Sequence, residues 1–234
     1  MKHYAYNSPF KMKDDEGNEY VLTVEQDDFS EDPRDWDNLC TMICWHRNYR
    51  LGDKHDNISG WDFLQGLCED LLGIEYEDCE DMSEEDLFKK LVDSGKILIK
   101  PINLYDHSGI TVSTSSGYPY NDRWDSGCVG FIYVTKDRVF KECGDITEEN
   151  WKDCADKHIE SEMETYDQYL RGDVYWFRLT KKVTKQDKCP HCGEVICEYE
   201  DEEEIDSCCG FYGDCLEENN ILGYISDDIK FVED

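Results

Sequence analysis

Hydrophobic residues recur at helical spacing in four stretches of the chain. Three of these stretches begin after an N-capping serine or threonine and stop at a glycine, the usual residues at the two ends of a helix. They follow Ser59, Ser83 and Thr147 and end at Gly73, Gly95 and Gly172, respectively. A fourth helix is predicted over Asp35–Tyr49, because Pro33 and acidic residues precede a run with apolar residues three or four positions apart.

Runs of β-branched and aromatic residues, bounded by turn-forming residues, predict strands. These runs are Tyr20–Glu25, Lys96–Leu104, Ile110–Thr114, Val129–Val134 and Val174–Thr180. Strands and helices do not alternate regularly, which favours an α+β fold with a mostly antiparallel sheet flanked by helices. We predict one domain over residues 1–234, including a small cysteine-rich C-terminal hairpin at residues 185–216.

Charge narrows the possible functions. The 234 residues include 56 Asp or Glu and 24 Lys or Arg, which gives a formal net charge of −32. The 39% hydrophobic and 13% aromatic content is enough to form a core, so this is not a disordered acidic tail. Such a charge repels nucleic acids and anionic membranes, and it favours metals and basic protein surfaces as partners.

The cysteine content predicts a reducing environment. Thirteen cysteines cannot all pair internally, and neither a signal peptide nor an apolar run long enough to cross a membrane stands out. We therefore expect a cytoplasmic protein with reduced thiols. Cys40, Cys44, Cys68 and Cys154 fall within apolar stretches, where they are interpreted as small buried hydrophobic residues.

The sequence Cys189-Pro-His-Cys192-Gly has the form of a zinc knuckle, a turn that directs two thiolates and several backbone amides to one point. A structural zinc needs two further ligands, and Cys208 with Cys215 is the pair we predict. Cys209, Cys197 and His191 are the alternatives. Cys208 and Cys209 are adjacent instead of forming a second CxxC, so a hairpin with free thiols is the competing interpretation.

Acidic residues form several clusters along the chain, and one cluster alone would be interpreted as a solvated surface. Two clusters fall on predicted elements that would hold their carboxylates in place, and we predict that these form a partner-binding surface. The helical cluster is Glu160, Glu162, Glu164 and Asp167, and the hairpin cluster is Glu200, Asp201, Glu202, Glu203 and Glu204.

A second group of polar residues lies at predicted strand ends and defines an alternative pocket. Its members are His107, Ser108, Ser113, Trp124, Asp125 and Ser126. Histidine, serine and aspartate can form a hydrolytic triad, but no GxSxG or HExxH motif is present and these residues are also ordinary turn formers. A pocket for an anion would need some of the dispersed basic residues to converge: Arg47, Arg50, Lys54, Arg123 and Arg138.

Several blocks of the sequence resemble a family of uncharacterised acidic proteins encoded by bacteriophages and mobile elements, chiefly of Gram-positive and gut bacteria. The blocks cover most of the chain and come in the family's order: Asp35–His55, Tyr105–Ser115, Trp124–Val134, Tyr166–Phe177 and Ile205–Asp214. Cys128 and Cys209 stand where the family commonly has Gln and Trp, and the Cys189–Cys192 knuckle looks like an addition. The family has no established activity, so the resemblance implies a phage or mobile-element origin but no particular reaction.

Two functions are compatible with these observations. The first is a non-enzymatic, DNA-mimic-like inhibitor of a host defence or nucleic-acid-binding protein of the restriction or CRISPR type. The second is a ligand-binding or hydrolytic protein whose His107 and Trp124 loops form a pocket for a nucleotide signal. A local basic cluster would favour the second function, and a continuous acidic surface would favour the first.

Overall fold

The structure is a computed structural model, and it describes residues 2–115 and 126–232. The chain divides into two compact units. The discontinuous unit is formed by Met1–Glu31 with Gly172–Asp234, and the central unit is formed by Asp32–Arg171. The single domain over residues 1–234 therefore stays a prediction, and each unit is described by itself.

The described residues form antiparallel sheets flanked by helices, which confirms the predicted α+β class. The strands are β1 (Phe10–Lys13), β2 (Glu19–Gln26), β3 (Thr41–Cys44), β4 (Ile97–Asp106), β5 (Ile110–Ser113), β6 (Ser126–Thr135), β7 (Val174–Lys188), β8 (Val195–Tyr212) and β9 (Lys230–Phe231). The α-helices are α1 (Gly60–Leu72), α2 (Tyr76–Cys79), α3 (Glu84–Ser94), α4 (Lys136–Glu142) and α5 (Trp151–Arg171). Short 3₁₀ turns occur at Ala5–Asn7, Pro33–Asp35 and Ile221–Tyr224.

The discontinuous unit is built on a five-stranded sheet in the order β8-β7-β2-β1-β9. Its core contains Leu22, Phe177, Leu179, Phe211 and Leu216. The last residue of β7 that pairs with β2 is Lys181, whereas the pairing of β7 with β8 continues to Lys188. Residues 182–202 therefore form a two-stranded hairpin that extends past the rest of the sheet, and we call this segment the arm.

The central unit has three layers around a four-stranded sheet in the order β3-β6-β4-β5. Helices α1 and α3 cover one face, where Leu64 and Leu91 pack with Ile99. Helix α5 covers the other face, where Ile159 packs with Ile132. This arrangement buries both faces of the sheet.

Burial of both faces explains why the helix predicted over Asp35–Tyr49 is wrong. The segment forms only a 3₁₀ turn at Pro33–Asp35, followed by β3. Met42 faces the α5 core and Ile43 faces the α1 and α3 core, so successive residues are all apolar. A strand covered on both faces lacks polar alternation, and a short apolar run of this kind cannot be distinguished from part of a helix.

The predicted starts of two helices, after Ser59 and Ser83, are confirmed. The Ser59 hydroxyl accepts a hydrogen bond from the Asp62 amide, and Ser83 forms a reciprocal capping box with Asp86. Gly73 ends α1 in the left-handed region at φ 69°, where a side chain would add strain.

Candidate functional sites

Glu162 is not part of an exposed acidic surface, contrary to the prediction. Its carboxylate accepts hydrogen bonds from Arg34 Nη1 at 2.9 Å and from the amides of Leu39 and Cys40 at 2.9 and 3.0 Å. Its side chain is 12% exposed, and that of Arg34 is 3% exposed. Arg34 also pairs with Asp53 through Nε at 2.8 Å. Glu162 therefore holds the segment before β3 against α5.

Asp167 has a similar structural role. One carboxylate oxygen accepts hydrogen bonds from the Val112 amide at 2.8 Å and from Thr111 Oγ1 at 2.5 Å, which joins α5 to β5. The other oxygen pairs with Arg171 Nε at 3.0 Å. The prediction that Asp167 belongs to a partner-binding surface is therefore corrected. Only Glu160 and Glu164 of the helical cluster are exposed.

The sequence contains a signal for these two structural acids. Ile159, Met163 and Tyr166 are the buried stripe of α5. Glu162 is three residues after Ile159, and Asp167 is four residues after Met163, so both lie beside that stripe. Acids at these positions can reach backbone amides of neighbouring elements.

The hairpin cluster lies on β8, which is an edge strand. From Val195 to Tyr212 the strand carries seven Asp or Glu residues and no Lys or Arg. Asp201 pairs with Lys185, Glu202 accepts from Thr180 Oγ1 at 2.9 Å, and Glu204 accepts from Ser207 Oγ at 2.9 Å. Glu200 and Glu203 are exposed, and Glu203 stands opposite Lys181 in the register.

The register of the hairpin fixes where these acids point. Glu198, Glu200 and Glu202 stand opposite alternate residues of β7, so they share one face of the hairpin. Asp201 and Glu203 lie on the other face. Same-face carboxylates are spaced by two strand residues, about 6.6–6.8 Å. The outer edge of the sheet therefore carries negative charge on both faces.

The knuckle at the end of the arm forms the predicted turn. Gly193 N donates to the Cys189 carbonyl at 2.9 Å, and Cys189 N donates to the Glu194 carbonyl at 2.8 Å. The backbone amides of Cys192 and His191, together with the Cys192 side chain, lower the pKa of the Cys189 thiol. The turn therefore keeps Cys189 and Cys192 in one short segment, as the zinc-knuckle pattern predicts.

The predicted completing pair is not at this point. Cys208 stands opposite Phe177 in the register, whereas the knuckle follows Lys188, so the two lie about 35 Å apart along the hairpin. Cys215 is buried, and its thiol donates to Glu217 at 3.3 Å. The four cysteines therefore do not form one site, because the long hairpin separates residues that are near one another in the sequence.

A different set of residues in the central unit could hold a metal ion. The ligand atoms of Cys143, Cys154 and His158 all lie within 4.8 Å of one another, the only such group in the described part of the chain. Cys154 and His158 are one turn apart on α5, and Cys143 follows α4 with its Sγ 3.8 Å from His158 Nε2. Burial and the neighbouring Cys154 raise the pKa of Cys143.

This group corrects the interpretation of Cys154 as a simple buried residue. Cys154 is half-buried, whereas Cys40, Cys44 and Cys68 are buried as predicted. The spacing Cys154-x-x-x-His158 places both side chains on one helix face and was the available signal. The approach of Cys143 depends on how α4 packs on α5, which no local pattern shows.

The residues of the alternative pocket are only partly described. His107 and Ser108 form the turn between β4 and β5, and Ser126 stands opposite Tyr105. Ser113 stands opposite Asn103, at the other end of β5 from that turn. Trp124 and Asp125 lie outside the described residues.

Three of the five dispersed basic residues line one cavity. Arg47, Arg50 and Lys54 line a cavity of about 590 Å³ in the loop between β3 and α1, next to Trp45 and Tyr49. Arg138 is elsewhere in the unit, where it donates to the Asn38 carbonyl at 2.9 Å. Arg123 lies outside the described residues.

Comparisons with known proteins add no relative. No protein-family model, no curated protein and no solved structure matches this chain. Across residues 2–115 and 126–232, no helix is long and apolar enough to cross a membrane.

Proposed function

We propose that this protein is a non-enzymatic inhibitor that binds the basic, nucleic-acid-binding surface of a host protein of the restriction or CRISPR type. It acts in the cytoplasm of a bacterial host, as an accessory protein of a phage or mobile element. The observation that carries the proposal is β8, an edge strand with seven acids and no basic residue.

The hairpin holds these acids at fixed spacing. Backbone pairing of β7 with β8 runs from Val174 to Lys188, so the carboxylates project from a paired strand and not from a disordered tail. A fixed array loses less conformational entropy on binding than a flexible acidic segment would. Duplex DNA also presents regularly spaced negative charge, one per about 1.7 Å of axis. A surface that binds DNA phosphates would therefore be attracted to this edge.

The proposal predicts a binding that depends strongly on salt. We expect the tagged protein to capture nucleic-acid-binding proteins with basic surfaces from a host lysate at low ionic strength. Capture should fall steeply by 1 M salt, where the Debye length shrinks to about 3 Å. Mass spectrometry of the eluates at several salt concentrations measures this. Recovery of the same proteins by an unrelated acidic protein of similar charge would contradict a specific inhibitor.

The alternative function is binding of a nucleotide signal, and the loop cavity is the observation that favours it. Arg47 and Arg50 line that cavity, and a guanidinium group can donate two parallel hydrogen bonds to the oxygens of one phosphate. Calorimetric binding of a nucleoside monophosphate that disappears in an Arg47→Ala, Arg50→Ala variant would support this function. Combined with a failure to capture any basic protein, that result would replace the inhibitor proposal.

We also propose that zinc binds in the central unit, at Cys143, Cys154 and His158. Thiolate and imidazole ligands favour zinc, and three protein ligands leave a fourth position for water. We expect Cys154→Ser with His158→Gln to remove one zinc per chain, as measured by elemental analysis. Equal zinc content in the variant and the wild type would contradict this assignment.

A further inference from the structure

The knuckle at the end of the arm supplies two metal ligands and lacks the rest. Zinc in structural sites is almost always bound by four ligands in a tetrahedron. Within residues 2–115 and 126–232, no group of three mutually close ligand atoms includes Cys189 or Cys192, although Cys192 Sγ donates to the Glu194 carboxylate at 3.7 Å. Another molecule can therefore supply the missing ligands.

The two thiols are accessible to another molecule. Cys192 is exposed and Cys189 is half-buried, and the turn that holds them is the outermost part of the hairpin. Val195 and Ile196, just after the turn, are 46% and 68% exposed. Val195 and Ile196 are successive strand residues, so an exposed apolar side chain lies next to the turn on each face of the hairpin.

The charge of the tip permits contact with an identical tip. Residues 185–194 contain Lys185 and Lys188, which balance Asp187 and Glu194. The acids of β8 begin further along the hairpin, at Glu198. Two copies that meet at their tips therefore bring together neutral surfaces and keep the acidic parts of both arms apart.

We infer that Cys189 and Cys192 are half of a zinc site that a second copy of this chain completes. Two thiolates from each chain then give a Cys₄ tetrahedron, and a twofold axis through the metal relates the copies. Each cysteine loses its thiol proton to solvent when its sulfur binds zinc, and no oxidant is involved. The dimer presents two acidic arms. This inference does not depend on the proposed function.

The mass of the full chain in solution tests this inference. We expect light scattering after size exclusion to show a doubling of mass when zinc is added to the reduced protein. The Cys189→Ser, Cys192→Ser variant should remain a monomer. A Cys143→Ser, Cys154→Ser variant is the matched control, and it should still dimerise with one zinc per two chains.

Chelation and reduction separate zinc from a disulfide. A zinc-bridged dimer dissociates when EDTA is added and survives a phosphine reductant, whereas a disulfide-linked dimer behaves in the opposite way. Wild-type protein that stays monomeric at saturating zinc would overturn the inference. So would one zinc per chain retained at the knuckle of a monomer, since that stoichiometry means that His191 or Cys197 completes the site within one arm.

Discussion

Replacing Glu162 with alanine is expected to lower the free energy of unfolding by about 3–5 kcal/mol, because one partner of a buried ion pair is removed. Arg34 would keep Asp53, but the guanidinium nitrogen that donates to Glu162 would lose its acceptor. The amides of Leu39 and Cys40 would also lose theirs. Unpaired buried donors carry their full desolvation cost.

Urea denaturation followed by circular dichroism measures this effect. Glu164→Ala is the matched control, since Glu164 is exposed on the same helix, and a change within about 0.5 kcal/mol is expected. Glu162→Gln should fall between the two, because the amide oxygen can still accept one hydrogen bond. If Glu162→Ala is as stable as Glu164→Ala, Glu162 has no structural role and is again a candidate residue of the acidic partner-binding surface.

Reversing two charges on β8 is expected to weaken capture of the basic partner without unfolding the protein. Glu200→Lys with Glu203→Lys changes both faces of the hairpin at exposed positions. Glu203 stands opposite Lys181, so its reversal replaces a cross-strand attraction by a repulsion, while the loss of repulsion between neighbouring acids offsets part of this cost. The melting temperature should therefore fall by no more than about 4 °C. The association rate should fall at least roughly tenfold, because electrostatic attraction accelerates encounter.

Glu160→Lys with Glu164→Lys is the matched control for this experiment. It makes the same change of net charge at exposed positions on α5. Surface plasmon resonance against the captured partner compares the two variants. Equal loss of binding in both would mean that total charge governs association and that β8 has no special part in it.

Capping residues and hydrophobic spacing correctly predicted the helices whose ends and buried face depend only on nearby residues. Helices α1 and α3 follow from a capping serine, one apolar face and a terminal glycine. Strand β3 could not be predicted in this way, because its burial on both faces depends on helices far away in the sequence. The α+β class was predictable because it needs only the order of elements.

Site residues were harder to predict, because the sequence gives the type of each residue but not the direction of its side chain or its contacts. Glu162 and Glu164 are two positions apart and chemically identical, yet one is bonded to Arg34 and the other is exposed. The knuckle was predictable, since both thiols belong to a single turn. The ligands that complete a site come from other elements, and their approach is a property of tertiary packing.

The pairing of β2 with β7 delays completion of the five-stranded sheet during synthesis. Strand β2 is synthesised early, but its neighbour β7 is translated only after the entire central unit. The central unit is continuous in sequence and has every partner it needs once Arg171 has emerged. During synthesis, the edge of β2 that later pairs with β7 therefore stays unpaired. We expect chaperones to bind this edge until β7 has been synthesised.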